Sequence, residues 1–412
     1  MPKLFKLPDS WGAICLFNLF VASIIGVIMR YKINFPLPGI VQANMLHAHS
    51  HFVFHGWATL TLMTAFISLI LPERIKRTFP YFAIFWLSLI LSWGMLISYF
   101  IQGYSPISIG FTTAANIVFY WFAVKFIMDL KRIEAHKVVK YFAIASIVSF
   151  IIASIGEYFS ASFSLYGPST PLITRGAMYF LLHFIYNGWF SFAIITLFFQ
   201  WLTTNKIKYR HETLLKVFVL LAIGLIPGYA LSLIGYVNKP WVYVCSYFAI
   251  ITQMIAVYML LNMIIKARKQ INQNLSLFSK ILWGTAFLAF IAKTGMQMGS
   301  LSPDLAIIAF SLRPLVIGYL HLIFICFVSF FLFGYMIEKD KLSFKASSPA
   351  RNGVIAFFVF SFLSELLLFL QAAGNFFYFP VPNIALIIYY VTIVMSLSLL
   401  VFVLGQIRRY WK

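Results

Sequence analysis

Long apolar runs, each about the length that crosses a bilayer, alternate along the chain with short polar connections. A transmembrane helix takes about 20 mostly apolar residues. Runs of that kind lie near 11–29, 48–71, 80–102, 110–130, 138–162, 176–201, 214–234, 241–265, 278–298, 314–337, 352–372 and 383–405. They predict an all-α, polytopic bundle of twelve spans. No connection is long enough for a soluble domain, so residues 1–412 read as a single transmembrane domain. No low-complexity tract and no internal repeat is evident. The run from Trp11 to Met29 is long for a signal-peptide core and reads as the first span.

Charge orients the bundle. With the N-terminus inside, the inner connections hold Lys3 and Lys6; Arg74, Lys76 and Arg77; Lys131, Arg132, Lys137 and Lys140. They continue with Lys206, Lys208, Arg210 and Lys216; Lys266, Arg268, Lys269 and Lys280; Lys339, Lys341, Lys345 and Arg351; and Arg408, Arg409 and Lys412. The outer ends hold only Arg30, Lys32, Arg175, Lys239, Lys293 and Arg313. Lysine and arginine favour the cytoplasmic side. A missed span would invert every later connection, so this asymmetry predicts twelve spans with both termini cytoplasmic.

Composition agrees. The 412 residues are 62% hydrophobic and 10% charged, too little charge to cover a soluble domain of this size. The net charge of +21 belongs to the short loops, which points to membrane lipid rather than nucleic acid as the partner. The three cysteines, Cys15, Cys245 and Cys326, lie inside apolar runs and imply no disulfide framework. No Cys-x-x-Cys-His occurs, which excludes covalent haem attachment of that type. Nucleotide-binding loops, soluble catalytic triads and zinc-protease signatures are absent too.

Histidines are the candidate chemistry. His136 and His211 lie in basic loops and read as solvated residues. The other six lie in spans 2, 6 and 10. The start of span 2 reads Asn-Met-Leu-His47-Ala-His49-Ser-His51-Phe-Val-Phe-His55-Gly-Trp. A step of four residues turns a helix only about 40° past a full circle, so His47, His51 and His55 share a stripe while His49 faces away. Imidazoles in a span are costly unless they face protein, a cavity or a metal. His183 in span 6 and His321 in span 10 lie about two turns from the outer end, at a depth like that of the span 2 cluster. The common depth predicts a shared site; interhelical hydrogen bonding is the plainer account. Arg175, Lys293 and Arg313 at outer ends can pair with carboxylates or simply anchor the interface. Glu157 and Glu365 are acids within spans, and so functional candidates by default.

These motifs resemble those of the haem-copper oxidase superfamily, the group of cytochrome oxidase subunit I and the nitric oxide reductase large subunit. The resemblance covers the twelve-span layout and short motifs in spans 2, 6 and 10. It implies an oxidase-like bundle with a bis-histidine b-type haem near the outer face. His321, in Tyr319-Leu320-His321, corresponds to the low-spin haem ligand of span 10. His51 or His49 would be the span 2 ligand, and the count back from Leu71-Pro72-Glu73 favours His51. Arg313 and Arg175 would meet the propionates. His183, in His183-Phe-Ile-Tyr-Asn-Gly-Trp, corresponds to a ligand of the non-haem metal; His47 and His55 with His183 form an alternative set for copper or another transition metal.

Two positions depart from the family pattern. Tyr319 replaces the first histidine of span 10, and span 7 contains none. The usual full dinuclear centre is therefore not implied. The function read from the resemblance is a redox-linked haem protein of the bacterial inner membrane, an oxidoreductase if an enzyme, with cytochrome or oxidase-type subunits as partners. Two alternatives stand beside it. One is a proton- or metal-coupled transporter, for which Gly224, Pro227 and Gly228 would break span 7. The other is a metal- or haem-handling assembly factor.

Overall fold

A computed structural model describes residues 5–134, 136–167, 170–345 and 347–410. Its helices long and apolar enough to cross a membrane number twelve: Trp11–Asn34, Gln42–Ile70, Phe79–Gln102, Pro106–Arg132, Lys137–Phe163, Leu172–Thr204, His211–Leu233, Pro240–Asn274, Leu277–Gly299, Arg313–Glu338, Ser348–Phe376 and Ile384–Arg409. These are spans 1 to 12. No strand occurs among the described residues. The chain is a multi-pass, all-α membrane protein. Span 2 starts at Gln42, earlier than hydropathy suggests, because the polar His-rich turn is helical as well. A short helix absent from the hydropathy reading, Pro303–Ser311, precedes span 10.

Local chemistry sets the boundaries. Proline occupies the first turn of spans 3, 8, 10 and 11, where its missing N–H costs nothing. Ser276 and Ser347 cap spans 9 and 11 by accepting the N–H of Ser279 and Ala350. Gly103 ends span 3 at φ +63°, and a Cβ there would lie 2.5 Å from Asn44 Oδ1. The Lys32 amine donates to the carbonyls of Leu37 and Ile40, tying down the turn between spans 1 and 2.

The helices gather into two compact units. The first contains residues 1–125 and 312–412, the second 126–311. Small residues set the close crossings within each. In the first, a Cβ on Gly405 would lie 2.3 Å from Ala350 Cβ; in the second, one on Gly156 would lie 2.7 Å from the Ala177 carbonyl oxygen.

Spans 2, 6 and 10 share a device. Each is α-helical up to a histidine and then π-helical, over Phe52–Thr59, Phe184–Phe190 and Leu322–Ser329. π-Helical turns are rare and concentrate at functional sites. Aligned on the histidine, the segments are His51-Phe-Val-Phe-His-Gly-Trp-Ala-Thr59, His183-Phe-Ile-Tyr-Asn-Gly-Trp-Phe-Ser191 and His321-Leu-Ile-Phe-Ile-Cys-Phe-Val-Ser329. The three segments share a histidine at the α-to-π boundary and a hydroxyl residue eight positions later. Ser191 donates to the Tyr186 carbonyl and Ser329 to the Phe324 carbonyl, at 2.6 and 2.7 Å, five residues back in both cases. The wider π turn loosens the backbone ladder, and the hydroxyl satisfies a carbonyl the ladder leaves available.

Candidate functional site

Within the first unit, the π-helical turns of spans 2 and 10 pack together. The Trp57 indole donates to Ser329 Oγ at 2.9 Å, and the Phe54 and Phe324 rings meet edge to face at 4.8 Å. Fully buried Asn18 of span 1 donates to the Gly56 carbonyl at 2.7 Å and accepts from the Trp93 indole at 3.1 Å. The span 2 histidines are therefore held by a satisfied polar frame.

The expected stripe is present. His51 stacks parallel on Tyr99 at 4.2 Å, its Nε2 lies 3.3 Å from the Tyr104 hydroxyl, and the His55 ring is parallel to it at 6.4 Å. His47 meets Tyr104 edge-on at 4.5 Å. His51 is buried, whereas His47 and His55 are half-buried.

His49 faces the other way. Its Nδ1 lies 3.0 Å from the Ala22 carbonyl oxygen of span 1. A carbonyl only accepts, so Nδ1 carries the proton and Nε2 keeps its lone pair. His321 lies within electrostatic reach of His49. Its Nδ1 is 3.3 Å from Glu365 Oε1 of span 11, an ion-pair distance without hydrogen-bond alignment. Among the described residues the buried Glu365 carboxylate has no aligned hydrogen-bond donor, His321 being its nearest partner. Arg30 lies within electrostatic reach of both Glu365 and Arg313. Arg313 is the cation expected here; Arg30, likewise at the outer end of its span, joins it although no sequence motif marks it. Tyr319 is half-buried two residues before His321.

His49 and His321, on different spans, each turn Nδ1 toward an oxygen, an orientation that leaves the second ring nitrogen for a ligand. By this donor chemistry His49 and His321 could hold a metal ion or haem iron, with Arg30 and Arg313 as cations for carboxylates.

His183 belongs to the second unit, where both its ring nitrogens are engaged. Nε2 donates to the Leu225 carbonyl oxygen at 2.7 Å, and Nδ1 accepts from the Asn187 amide at 3.1 Å. The Leu225 carbonyl is available because span 7 leaves its α-helical ladder there. The Tyr229 N–H turns to the carbonyls of Ile226 and Pro227, and a 3₁₀ turn follows over Tyr229–Leu233. The break expected from Gly224, Pro227 and Gly228 is thus present, as a tightened turn. From Asn187 the hydrogen bonds continue: Gln297 donates to Asn187 Oδ1 at 3.4 Å, and Gln253 donates to Gln297 Oε1 at 3.2 Å. These side chains border a small cavity that also reaches Lys293. Lys293 is not an interfacial anchor: it is 1% exposed inside span 9. Arg175 is exposed and lies over the Tyr236 ring at 5.3 Å. Glu157 is buried in span 5.

In the connections of the second unit, His136 and His211 stack at 3.7 Å, with Tyr209 edge-on to both. Burial, and then the neighbouring His211, holds the His136 imidazole below its ordinary value.

Fold and geometry define the class, a twelve-span helical membrane protein with polar, histidine-containing sites inside its helical units. No protein-family model matches the chain, and no curated protein matches it.

Proposed function

We propose that this is a haem-binding, redox-linked membrane protein whose first unit holds a b-type haem between His49 and His321, in a bundle resembling the haem-copper oxidase catalytic subunits. One observation carries the reading. His49 Nδ1 is hydrogen-bonded to the Ala22 carbonyl oxygen and His321 Nδ1 lies at ion-pair distance from the Glu365 carboxylate, which leaves Nε2 on each for iron. The spacing argument favoured His51; hydrogen bonding favours His49, because His51 Nε2 is the nitrogen that faces Tyr104.

Each residue has a task in this reading. Ala22 and Glu365 fix the tautomer and orientation of the two imidazoles, and the carboxylate strengthens His321 as a donor. Arg30 and Arg313 meet the acidic edge of the porphyrin. Iron held this way supplies reversible one-electron transfer. Span 7 lacks histidine and Tyr319 stands where the family has a further ligand, so the reading is electron transfer or gas sensing rather than reduction at a full dinuclear centre.

The test is an absorption spectrum, pyridine haemochrome and metal analysis of protein purified from haem-replete cells. A low-spin b-type signal is expected, lost in His49→Ala and His321→Ala and kept in His51→Ala. A colourless, iron-free preparation overturns the haem reading. Loss in His51→Ala with retention in His49→Ala returns the span 2 ligand to His51.

A further inference from the structure

We infer that the cavity of the second unit is a binding site for a small inorganic monoanion, of halide or nitrite size, with the Lys293 ammonium as its principal ligand. The site does not involve the proposed haem and stands without it.

The cavity lies among spans 6, 7, 8 and 9 and measures about 20 Å³, room for a ligand of roughly water size. Lys293 is 1% exposed and borders the cavity, and its Nζ has no hydrogen-bond acceptor. Its Nζ lies 5.1 Å from the Phe290 ring centroid and within electrostatic reach of His183, which supplies no negative charge. An ammonium group buried in a span without a counter-charge is among the most costly arrangements a membrane protein can hold. No aspartate or glutamate lines the cavity to supply that charge.

The surrounding hydrogen bonds decide which ligand fits. They run in one direction: Gln253 donates to Gln297, Gln297 to Asn187, Asn187 to His183, and His183 to the Leu225 carbonyl. Each acceptor on the way, Gln297 Oε1, Asn187 Oδ1 and His183 Nδ1, is used by the preceding donor. The amides of Asn187 and Gln297 each keep a second hydrogen. Lys293 and Gln297 are four residues apart on span 9, hence on one face. The lining therefore offers free N–H donors and an uncompensated cation, while Gln297 Oε1, Asn187 Oδ1 and His183 Nδ1 each already receive a hydrogen bond. That suits an anion and suits neither a metal ion nor an organic cation, and the volume restricts the anion to a few atoms.

The experiment uses the full-length protein in detergent at constant ionic strength. Gluconate is replaced stepwise by chloride, and separately by nitrite or sulfate, while thermal unfolding is followed. Binding of chloride-36 is measured in parallel. With a net charge of +21, loose surface binding of anions is expected, so saturation at one ion per chain is the decisive reading. The inference expects a saturable rise in Tm with chloride or nitrite, little effect of the larger sulfate dianion, and one saturable chloride-36 site in the wild type. In Lys293→Met the rise and the site are lost, while Tm in gluconate equals or exceeds that of the wild type, because an uncompensated buried charge has gone. Equal responses in wild type and Lys293→Met, or no saturable chloride-36 site in the wild type, would overturn it. The wild-type binding measurement decides the matter even if Lys293→Met does not fold.

Discussion

His183 donates its Nε2 proton to the Leu225 carbonyl oxygen at 2.7 Å, at the point where span 7 changes from α to 3₁₀ geometry. The two spans approach this closely because Gly228 has no side chain: a Cβ there would lie 3.0 Å from His183 Cε1. Gly228→Ala should push the ring away and break this bond. The expected cost is about 1–3 kcal/mol, as for other overpacked sites. Thermal or denaturant unfolding checks it, and His183→Ala combined with Gly228→Ala should recover part of the loss, since the ring is what the methyl group meets. Additive losses would show that the strain lies elsewhere.

Ser329 accepts from the Trp57 indole and donates to the Phe324 carbonyl, joining the π-helical turns of spans 2 and 10. Ser329→Ala leaves both buried partners without it. A loss of about 1–3 kcal/mol is expected from the unsatisfied indole. Trp57→Phe, which removes the donor as well, should make a subsequent Ser329→Ala less costly. A double-mutant cycle reads the coupling; none at all would deny the bridge an energetic role.

On the haem reading, Glu365 orients His321 and raises its basicity. Glu365→Gln retains the shape and removes the charge. Haem retention should fall about 10–100-fold, the usual effect of losing an outer partner of a metal ligand. Competition for haem by an excess of an apo-haem protein measures it. Unchanged retention alongside an intact low-spin spectrum would assign Glu365 to the Arg30 and Arg313 charges instead.

The stacked pair His136–His211 should make the loops of the second unit sensitive to pH. The folded His136 imidazole titrates below the ordinary value of 6.5, from burial first and His211 second. The folded state then binds fewer protons than the unfolded one around that value, so stability rises with pH there. The contribution is present above about 6.5 and is lost as pH falls through the folded value. Histidine-resolved NMR titration should give a midpoint for His136 below the usual range, moving upward in His211→Ala. Amide protection factors at Lys137 and the first turn of span 5, corrected for the intrinsic pH dependence of exchange, should fall between pH 7.5 and 5.5 in the wild type.

How far these features could be read beforehand depends on the kind of interaction. Hydrocarbon requires each crossing segment to be apolar and to satisfy its own backbone, so the twelve spans were legible in hydropathy to within a few residues. The stripe of His47, His51 and His55 was legible in the same way, since helical period is a local property. The pattern shared around His51, His183 and His321 was in plain view but short and partly degenerate. It becomes evident only when aligned on the points where the α-helix gives way to the π-helix.

Composition, the membrane class, the span count and the presence of histidine on spans 2, 6 and 10 are determined by the sequence alone. Tertiary structure decided which partners each imidazole meets. His49 and His51 are two residues apart and chemically identical, and only the Ala22 carbonyl on span 1 and the Tyr99 and Tyr104 rings distinguish them. Lys293 looked like one more cation at the outer end of a span until packing enclosed it. Residues of identical chemistry differ in environment through partners brought by other helices, and which partners arrive depends on helix rotation and depth, quantities that hydropathy does not encode.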